Sequence, residues 1–149
     1  MKQAFTMVEL IFVIVIIGIL SAVAIPKFEG IASSAYEVKA KATLASVRSA
    51  LSTERQKLIL QGKFGAISKL RNGTTGVFTS FVYLDKDGTE QTGSKVLEYD
   101  IKSCSNIGCW VTSNSVDYTY KGSSGDCTYK LQSNRFDDTT TGGCSDLGN

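Results

Sequence analysis

The sequence predicts an α+β fold in which a long N-terminal α-helix packs on a small antiparallel β-sheet. An apolar run near the N-terminus continues into an alanine-rich segment with helical periodicity, and this pattern ends before Gly62. From Val77 onward apolar and polar residues alternate, as in strands that are buried on one side. An antiparallel sheet laid on the second half of the helix would bury both apolar faces.

The first half of the predicted helix, residues 5–26, is suited to a membrane. Within residues 5–25 the one ionisable side chain is Glu9, and about 20 apolar residues suffice to span a bilayer as a helix. A carboxylate in such a span costs roughly 2.5–3.5 kcal/mol near the centre and less near an end, so Glu9 needs a partner. Pro26 lacks a backbone donor, which predicts a kink or local loosening at residues 22–25.

The second half, residues 27–61, is predicted to be an amphipathic helix. It is rich in alanine and straight-chain residues, and the chain has no proline other than Pro26. A helix from residue 5 to residue 60 would be roughly 80 Å long at 1.5 Å per residue. Gly62 is a stop signal, and residues 62–76 are predicted to connect the helix to the sheet. The apolar stripe that should pack on the sheet contains Ala40, Leu44, Val47, Leu51 and Leu58.

Residues 77–149 are predicted to form a β-domain. Strand patterns occupy residues 77–84, 95–101, 108–112, 116–121 and 126–132, with short turns of Gly, Ser, Asn and Asp between them. Residues 135–149 have the composition of a polar tail. The alternation is clearest in three triplets: Leu97, Tyr99 and Ile101; Val116, Tyr118 and Tyr120; Cys127, Tyr129 and Leu131.

The four cysteines lie in the last third of the chain, at Cys104, Cys109, Cys127 and Cys144. An even number in a small loop-rich region predicts two disulfides in an oxidising compartment, which puts the β-domain outside the cytoplasm. Three connectivities are open. Local pairing is preferred, because it pinches one turn and ties the tail to a strand. A zinc site is disfavoured, because the cysteines lack two tight pairs separated by two residues.

Composition argues against catalysis and against nucleic-acid binding. The chain of 149 residues contains no histidine, which removes the commonest general base and metal ligand, and no motif pairs a nucleophile with a base. The formal net charge of +2 is too small to attract nucleic acid by itself. We therefore expect a protein that is not an enzyme, needs no cofactor and binds no nucleic acid.

Two further motifs each have a functional and an ordinary interpretation. Asp85 and Asp87 precede a glycine in an acidic segment that could bind calcium, but the spacing does not fit an EF-hand, and Asp-Gly between strands first indicates a hairpin turn. The tail acids Asp137, Asp138 and Asp146 are a second weak candidate. Trp110, Tyr118, Tyr120 and Tyr129 could form a binding platform, although their alternation favours a core.

The N-terminal segment itself allows three interpretations. It could be a simple membrane anchor. It could be a secretory signal peptide, since Ala22, Val23 and Ala24 have the small-x-small form of a cleavage site, although the run is long for a signal core and Glu9 is misplaced in one. The third interpretation rests on the stretch AFTMVEL followed by IFVIVIIGILSAVAIP, which resembles the class III signal of type IV pilins and of the pseudopilins of type II secretion.

The resemblance implies a pilin-like fold and a route by which the N-terminal segment is processed. Residues 1–4 would be a leader that a prepilin peptidase removes by cutting between Ala4 and Phe5, and the new amino group of Phe5 would then be methylated. The family usually has glycine where this chain has Ala4. The new amine would be largely protonated, and Phe5 and Glu9 are four residues apart, on one helix face. Glu9 could therefore pair with the amine of its own chain or of a neighbour, which would promote assembly.

Together with the residue analysis, the resemblance implies a structural subunit that polymerises. It would sit in the bacterial inner membrane with its C-terminal domain in the periplasm, meet the inner-membrane assembly platform and join a helical homo-oligomer, either a type IV pilus or a type II secretion pseudopilus. The alternative is a monomeric secreted or membrane-anchored binding domain that is exported by a conventional signal peptide.

Overall fold

The computed structural model describes residues 5–140 together with Cys144 and Leu147. Two units can be distinguished, Met1–Ala35 and Tyr36–Asn149. Within the described residues one helix, α1 (Met7–Leu60), is followed by seven strands: β1 (Ile67–Lys69), β2 (Ser80–Leu84), β3 (Glu90–Lys95), β4 (Trp110–Thr112), β5 (Asp117–Lys121), β6 (Asp126–Gln132) and β7 (Arg135–Asp138). The α+β class predicted from the sequence is confirmed.

The strands form two antiparallel sheets instead of the single sheet predicted. Strands β1, β2 and β3 make one sheet in chain order, and β4 to β7 make the other in chain order. Hydrogen bonds join the two sheets: Ile67 N donates to Asn134 Oδ1 at 2.7 Å, and Leu70 N donates to the Tyr118 hydroxyl oxygen at 3.0 Å. Each sheet is therefore a simple meander, and the two share one core.

Helix α1 ends in a Schellman motif. Lys63 N donates to Leu58 O at 2.9 Å, and Gly62 N donates to Ile59 O at 2.9 Å. Gly62 has a φ of 72°, a left-handed conformation that glycine adopts without strain. The stop signal predicted at Gly62 is confirmed. Residues 22–25 stay helical before Pro26, because the loss of one donor does not interrupt the helix. The local loosening predicted there is therefore wrong, and the kink stays a prediction.

The core forms where the stripe of α1 meets both sheets. All five predicted stripe residues, from Ala40 to Leu58, are buried. Phe78 lies among the aromatic rings, with its centroid 4.9 Å from Tyr118, 5.4 Å from Trp110 and 5.9 Å from Phe136. Apolar surface of this kind contributes about 25 cal/mol per Å² when it is removed from water. The stripe and the rings are therefore the main stabilising element of the second unit.

The strand predictions for residues 108–132 agree closely with the strands of the second sheet. Strand β6 has the predicted bounds, and β4 and β5 begin one or two residues later than predicted. The predicted strand at 77–84 begins instead at Ser80. Strands β1 and β7 lie in segments predicted to be a loop and a polar tail, because short strands with few apolar residues have little period-two signal.

The strand predicted at residues 95–101 is wrong. The strand is β3, which ends at Lys95, and residues 96–99 form a bend in which Val96 is buried but Tyr99 is 85% exposed. Strand β3 is polar because it lies at the edge of its sheet, and exposed edges favour polar residues. The apolar alternation of Leu97, Tyr99 and Ile101 therefore reflects a loop.

One acid, Glu54, lies within the buried stripe and is 3% exposed. Its carboxylate accepts hydrogen bonds from the Ser94 hydroxyl, from Ser94 N at 3.3 Å and from Lys57 Nζ at 3.2 Å. A Cβ at Gly93 would lie 2.6 Å from Glu54 Oε1, so the edge strand needs glycine there to approach the carboxylate. The stripe spacing passes through residue 54, but sequence analysis did not identify Glu54 as part of the core.

The environment of Glu54 lowers its pKa. Burial by itself raises the pKa of this carboxyl, but the hydrogen bonds from Ser94 and the charge of Lys57 outweigh it and leave the pKa below its ordinary value. A lowered pKa in the folded state contributes stability that is present above the unfolded carboxyl's pKa. That contribution is lost as the pH falls through the folded pKa.

Replacing Glu54 with Gln should therefore destabilise the fold in a pH-dependent way. We expect Glu54→Gln to lower the free energy of unfolding by about 1–3 kcal/mol at pH 7, because hydrogen bonds to a charged group are lost. The difference from wild type should shrink once the pH falls below the usual carboxyl range. Urea unfolding of the full chain in micelles, followed by the fluorescence of Trp110, measures it.

The exposed Glu98 supplies the control. Glu98→Gln removes the same charge from the same unit and should change the free energy of unfolding by less than about 0.5 kcal/mol. A constant difference between Glu54→Gln and wild type from neutral to acidic pH would contradict the role given to the Glu54 charge.

Candidate assembly site

The first turn of α1 is closed by a capping box between Thr6 and Glu9. Thr6 Oγ1 accepts a hydrogen bond from Glu9 N at 3.3 Å. Glu9 Oε2 in turn accepts from Thr6 N at 3.4 Å and from the Thr6 hydroxyl at 3.2 Å. This reciprocal arrangement satisfies backbone donors that a helix start leaves open, and an acid there also complements the helix dipole. Glu9 therefore has a partner within its own chain.

Sequence analysis missed this role of Glu9, although the signal was present. Thr6 and Glu9 have the Thr-x-x-Glu spacing of a capping box directly before an apolar run. Because α1 begins at Met7, Phe5 precedes the helix. The prediction that Phe5 and Glu9 share a helix face is therefore wrong. Phe5 is 74% exposed, and Ala4 lies outside the described residues.

The apolar residues of α1 that follow Glu9 have exposed side chains in the first unit. Exposed fractions range from 40% at Ile16 to 66% at Phe12 and Ile25 in residues 10–25. By length and composition, α1 is able to cross a membrane. Apolar surface of this extent is unfavourable in water, so the segment requires lipid or other apolar helices around it.

The calcium candidates Asp85 and Asp87 belong to the β2–β3 hairpin. Asp85 N donates to Thr89 O at 2.9 Å, and Gly88 N donates to Asp85 O at 2.9 Å, which closes the turn. Asp85 Oδ1 accepts from Lys86 N at 2.8 Å. In the part of the chain that the structure describes, no three acidic, cysteine or histidine residues are grouped as metal ligands would be. The hairpin interpretation of Asp-Gly is confirmed.

The second set of acids has structural partners. Asp137 pairs with Arg135 at 3.2 Å. Asp138 Oδ1 accepts from Thr140 N at 2.8 Å, and Oδ2 accepts from Cys144 N at 2.7 Å. Burial raises the pKa of Asp138, but these hydrogen bonds outweigh it and lower the pKa overall. Asp146 lies outside the described residues. Asp138 thus holds Thr140 and Cys144 in place.

The aromatic residues considered for a binding platform belong to the core. Trp110, Tyr118, Tyr120 and Tyr129 are each at most 3% exposed. Burial raises the pKa of the Tyr129 hydroxyl to about 12 and raises that of Tyr118 as well. No face of these rings is free to stack on a ligand, so the core interpretation is confirmed and the platform interpretation is wrong.

The cysteines form two disulfides, Cys104–Cys109 and Cys127–Cys144. These are the local pairings that sequence analysis prefers. All four sulfur atoms are used in these bonds, so they do not make a zinc site. The second disulfide joins β6 to the residues after β7, where Cys144 is buried. It closes a loop across 17 residues and contributes roughly 3 kcal/mol on the chain-entropy model.

Comparison with known proteins bears on the capped apolar segment. Residues 1–25 match the model of the prokaryotic N-terminal methylation motif. The chain carries this motif. It is also 50% identical over 48 residues to the type IV narrow pilus major component PilA5 of Thermus thermophilus. Both findings agree with the resemblance to type IV pilins and pseudopilins that residues 4–26 carry.

The reach of this similarity is limited to part of each protein. The alignment covers 32% of this chain and 41% of the Thermus protein, so the chain spans less than half of its relative. No solved structure is significantly similar to the chain. The methylation motif therefore describes the N-terminal segment, and the function of the whole protein is a proposal.

Removing the hydroxyl of Thr6 should loosen the first turn of α1. We expect Thr6→Ala to cost that turn about 0.5–2 kcal/mol, because the capping box loses its side-chain donor and acceptor. Amide hydrogen exchange at residues 7–10, measured on the full chain in micelles, should become faster. Thr6→Ser keeps the hydroxyl and should exchange like wild type. Equal exchange in Thr6→Ala and wild type would show that the cap does not stabilise this helix start.

Proposed function

We propose that the chain is a type IV pilin subunit that polymerises through its N-terminal helix. The observation that carries the proposal is the methylation motif on a helix whose apolar side chains, in residues 10–25, are exposed. Lipid can cover that surface before assembly, and the same segment of neighbouring copies can cover it afterwards. A structural, non-enzymatic role is consistent with the pilin relative and with a sequence that has no histidine.

Processing would alter the capping box. Cleavage between Ala4 and Phe5 would leave a largely protonated amine one residue before Thr6, since a free α-amino group has a pKa of about 7.7–8.0. A cation at a helix start is opposed by the helix dipole and needs a carboxylate nearby. Glu9 is exposed and two residues into α1, so it is suited to meet the Phe5 amine of its own chain or of a neighbour.

Methylation of Phe5 would preserve this charge pair. An N-methyl amine remains a cation, and the methyl group adds apolar surface that suits a helix bundle. The proposal also implies partners and a location: a prepilin peptidase, an inner-membrane assembly platform, and a single-pass membrane form with residues 77–149 in the periplasm. Two disulfides accord with a domain that folds outside the cytoplasm.

Of the two kinds of filament, we favour a pilus over a type II secretion pseudopilus. The relative with which the chain shares 48 aligned residues is named as a major component of a narrow type IV pilus. The disulfide that secures the end of the β-domain is also suited to a fibre that is exposed at the cell surface.

The mature N-terminus distinguishes a pilin from a conventionally exported domain. Mass spectrometry of protein from the membrane and filament fractions should find an N-methylated peptide that begins at Phe5, and Ala4→Gly should be processed at least as completely. A mature chain that begins at Ile25, after the small-x-small site, would mean signal-peptide export and would contradict the pilin proposal.

Substitutions of Glu9 separate its charge from its capping role. Glu9→Gln keeps an acceptor for the capping box but removes the charge, whereas Glu9→Ala removes both. We expect both variants to enter the membrane normally and to be depleted from sheared filaments by about tenfold or more, because the Phe5 amine loses its counter-charge. If Glu9→Gln assembles like wild type while Glu9→Ala does not, Glu9 acts through the cap and charge pairing has no part.

A further inference from the structure

A groove in the second unit is lined by three arginines. Arg48 and Arg55 extend from α1, and Arg135 begins β7. Leu51 and Phe136, both nearly fully buried, lie at its floor. The groove has a volume of about 530 Å³ and is open to solvent on one side. It therefore combines an apolar floor with a positively charged rim.

Neither helix arginine forms an ion pair within the described residues, although Arg48 lies close enough to Asp138 for its charge to lower the pKa of that carboxyl. Arg48 Nε donates to Phe136 O at 3.0 Å, and Arg55 Nη1 donates to Gly65 O at 2.7 Å. These carbonyls hold the guanidinium groups in place without neutralising them, and Asp138 offsets only part of the positive charge, that of Arg48. Arg135 Nε forms an ion pair with Asp137 Oδ2 at 3.2 Å. The groove lining therefore has three positive charges and one negative charge. A carboxylate ligand fits it better than a neutral one.

The bend after β3 presents the complementary chemistry. Tyr99 is 85% exposed and stands between the exposed acids Glu98 and Asp100. Neither acid forms an ion pair within the residues that the structure describes. A large exposed aromatic ring flanked by two free carboxylates is what an interface with an arginine-lined groove requires, since tyrosine and arginine are enriched at interface hot spots.

The groove and the bend lie on opposite flanks of the buried stripe of α1. The groove includes Arg48 and Ser52, whereas Glu98 lines a separate depression with Ser49 and Thr53. At 100° per residue, these two pairs of helix positions point to different sides of the helix. The bend therefore cannot enter the groove of its own chain. Contact between the two surfaces requires a second copy.

We propose that residues 98–100, at the end of the bend after β3, dock in one copy into the arginine groove of the next copy. The Tyr99 ring would lie over the apolar floor, within reach of a guanidinium face, and the two carboxylates would meet the rim. Such a contact joins two different surfaces of the same chain, and heterologous contacts generate open helical filaments when they do not close into a ring. The inference rests on the proposed pilin function and names a contact between the β-domains.

A photoreactive residue at position 99 tests the contact directly. Tyr99 is replaced by p-benzoylphenylalanine in the full chain, filaments are sheared from cells and irradiated, and crosslinked peptides are mapped by mass spectrometry. We expect crosslinks between position 99 and residues 48–56 or 134–137 of another copy. The same photoreactive residue at Ser124 is the control, because Ser124 is exposed in the turn between β5 and β6, at the other end of β6 from Arg135, and it should not crosslink to the groove.

Charge reversal tests the complementarity. In the photoreactive chain, Glu98→Lys with Asp100→Lys should reduce the crosslink about tenfold or more, because attraction becomes repulsion at two sites. Asp85→Lys with Asp87→Lys makes the same change at the β2–β3 turn and should leave the crosslink unchanged. Reversal of the groove by Gln56→Glu with Arg135→Glu should restore the crosslink to the reversed bend.

The outcomes distinguish this contact from the pilin function itself. Filaments that form normally but crosslink position 99 elsewhere, or not at all, would overturn the docking proposal and leave the pilin proposal in place. A reversed bend that crosslinks as well as wild type would also overturn it. Membrane extracts that contain only monomer, with no filaments, would overturn both.

Discussion

The contact between the buried stripe of α1 and the two sheets is the interaction on which the second unit depends. A helix with one apolar face and two small meanders, none of which can bury its own apolar surface, become one core when they meet. Glu54 lies in the middle of that face, and Ser94 and Lys57 satisfy its carboxylate. The helix is thus joined to the edge strand β3 by a polar contact and to the rest of the sheets by apolar packing.

The cap at the start of α1 changes how the acid in the apolar run is understood. A carboxylate at this position appears expensive when it is considered alone, but Thr6 already provides Glu9 with two donors in a single chain. On the proposed function, assembly would exchange this local pairing for the amine of a processed Phe5. The gain from that exchange is small compared with covering the exposed apolar residues. Apolar surface would therefore drive assembly, and Glu9 would set the register of neighbouring helices.

The error in the strand predicted at residues 95–101 has a clear physical explanation. Val96 is buried, and the alternating Leu97, Tyr99 and Ile101 have the spacing of a strand, yet β2 pairs with the polar residues before them. Hydrogen bonding to a neighbour decides which residues form an edge strand, and an edge strand needs no apolar alternation. The same reason explains why the short strands β1 and β7 were not predicted. The bend that results leaves Tyr99 exposed between two acids. The local pattern alone would place Tyr99 in a sheet.

The sequence alone was sufficient to determine the elements that depend on residues close together in the chain. These are the apolar helix, its stop at Gly62, the buried stripe, strand β6, the Asp-Gly turn and the resemblance carried by residues 4–26. Their signals come from periodicity, turn preference and motif, which act within a few residues. The tertiary structure alone decided the division into two sheets, the position of β3, the partners of Glu54 and the separation of the arginine groove from the acidic bend. Each of these depends on which distant residues meet, and a linear pattern does not contain that information.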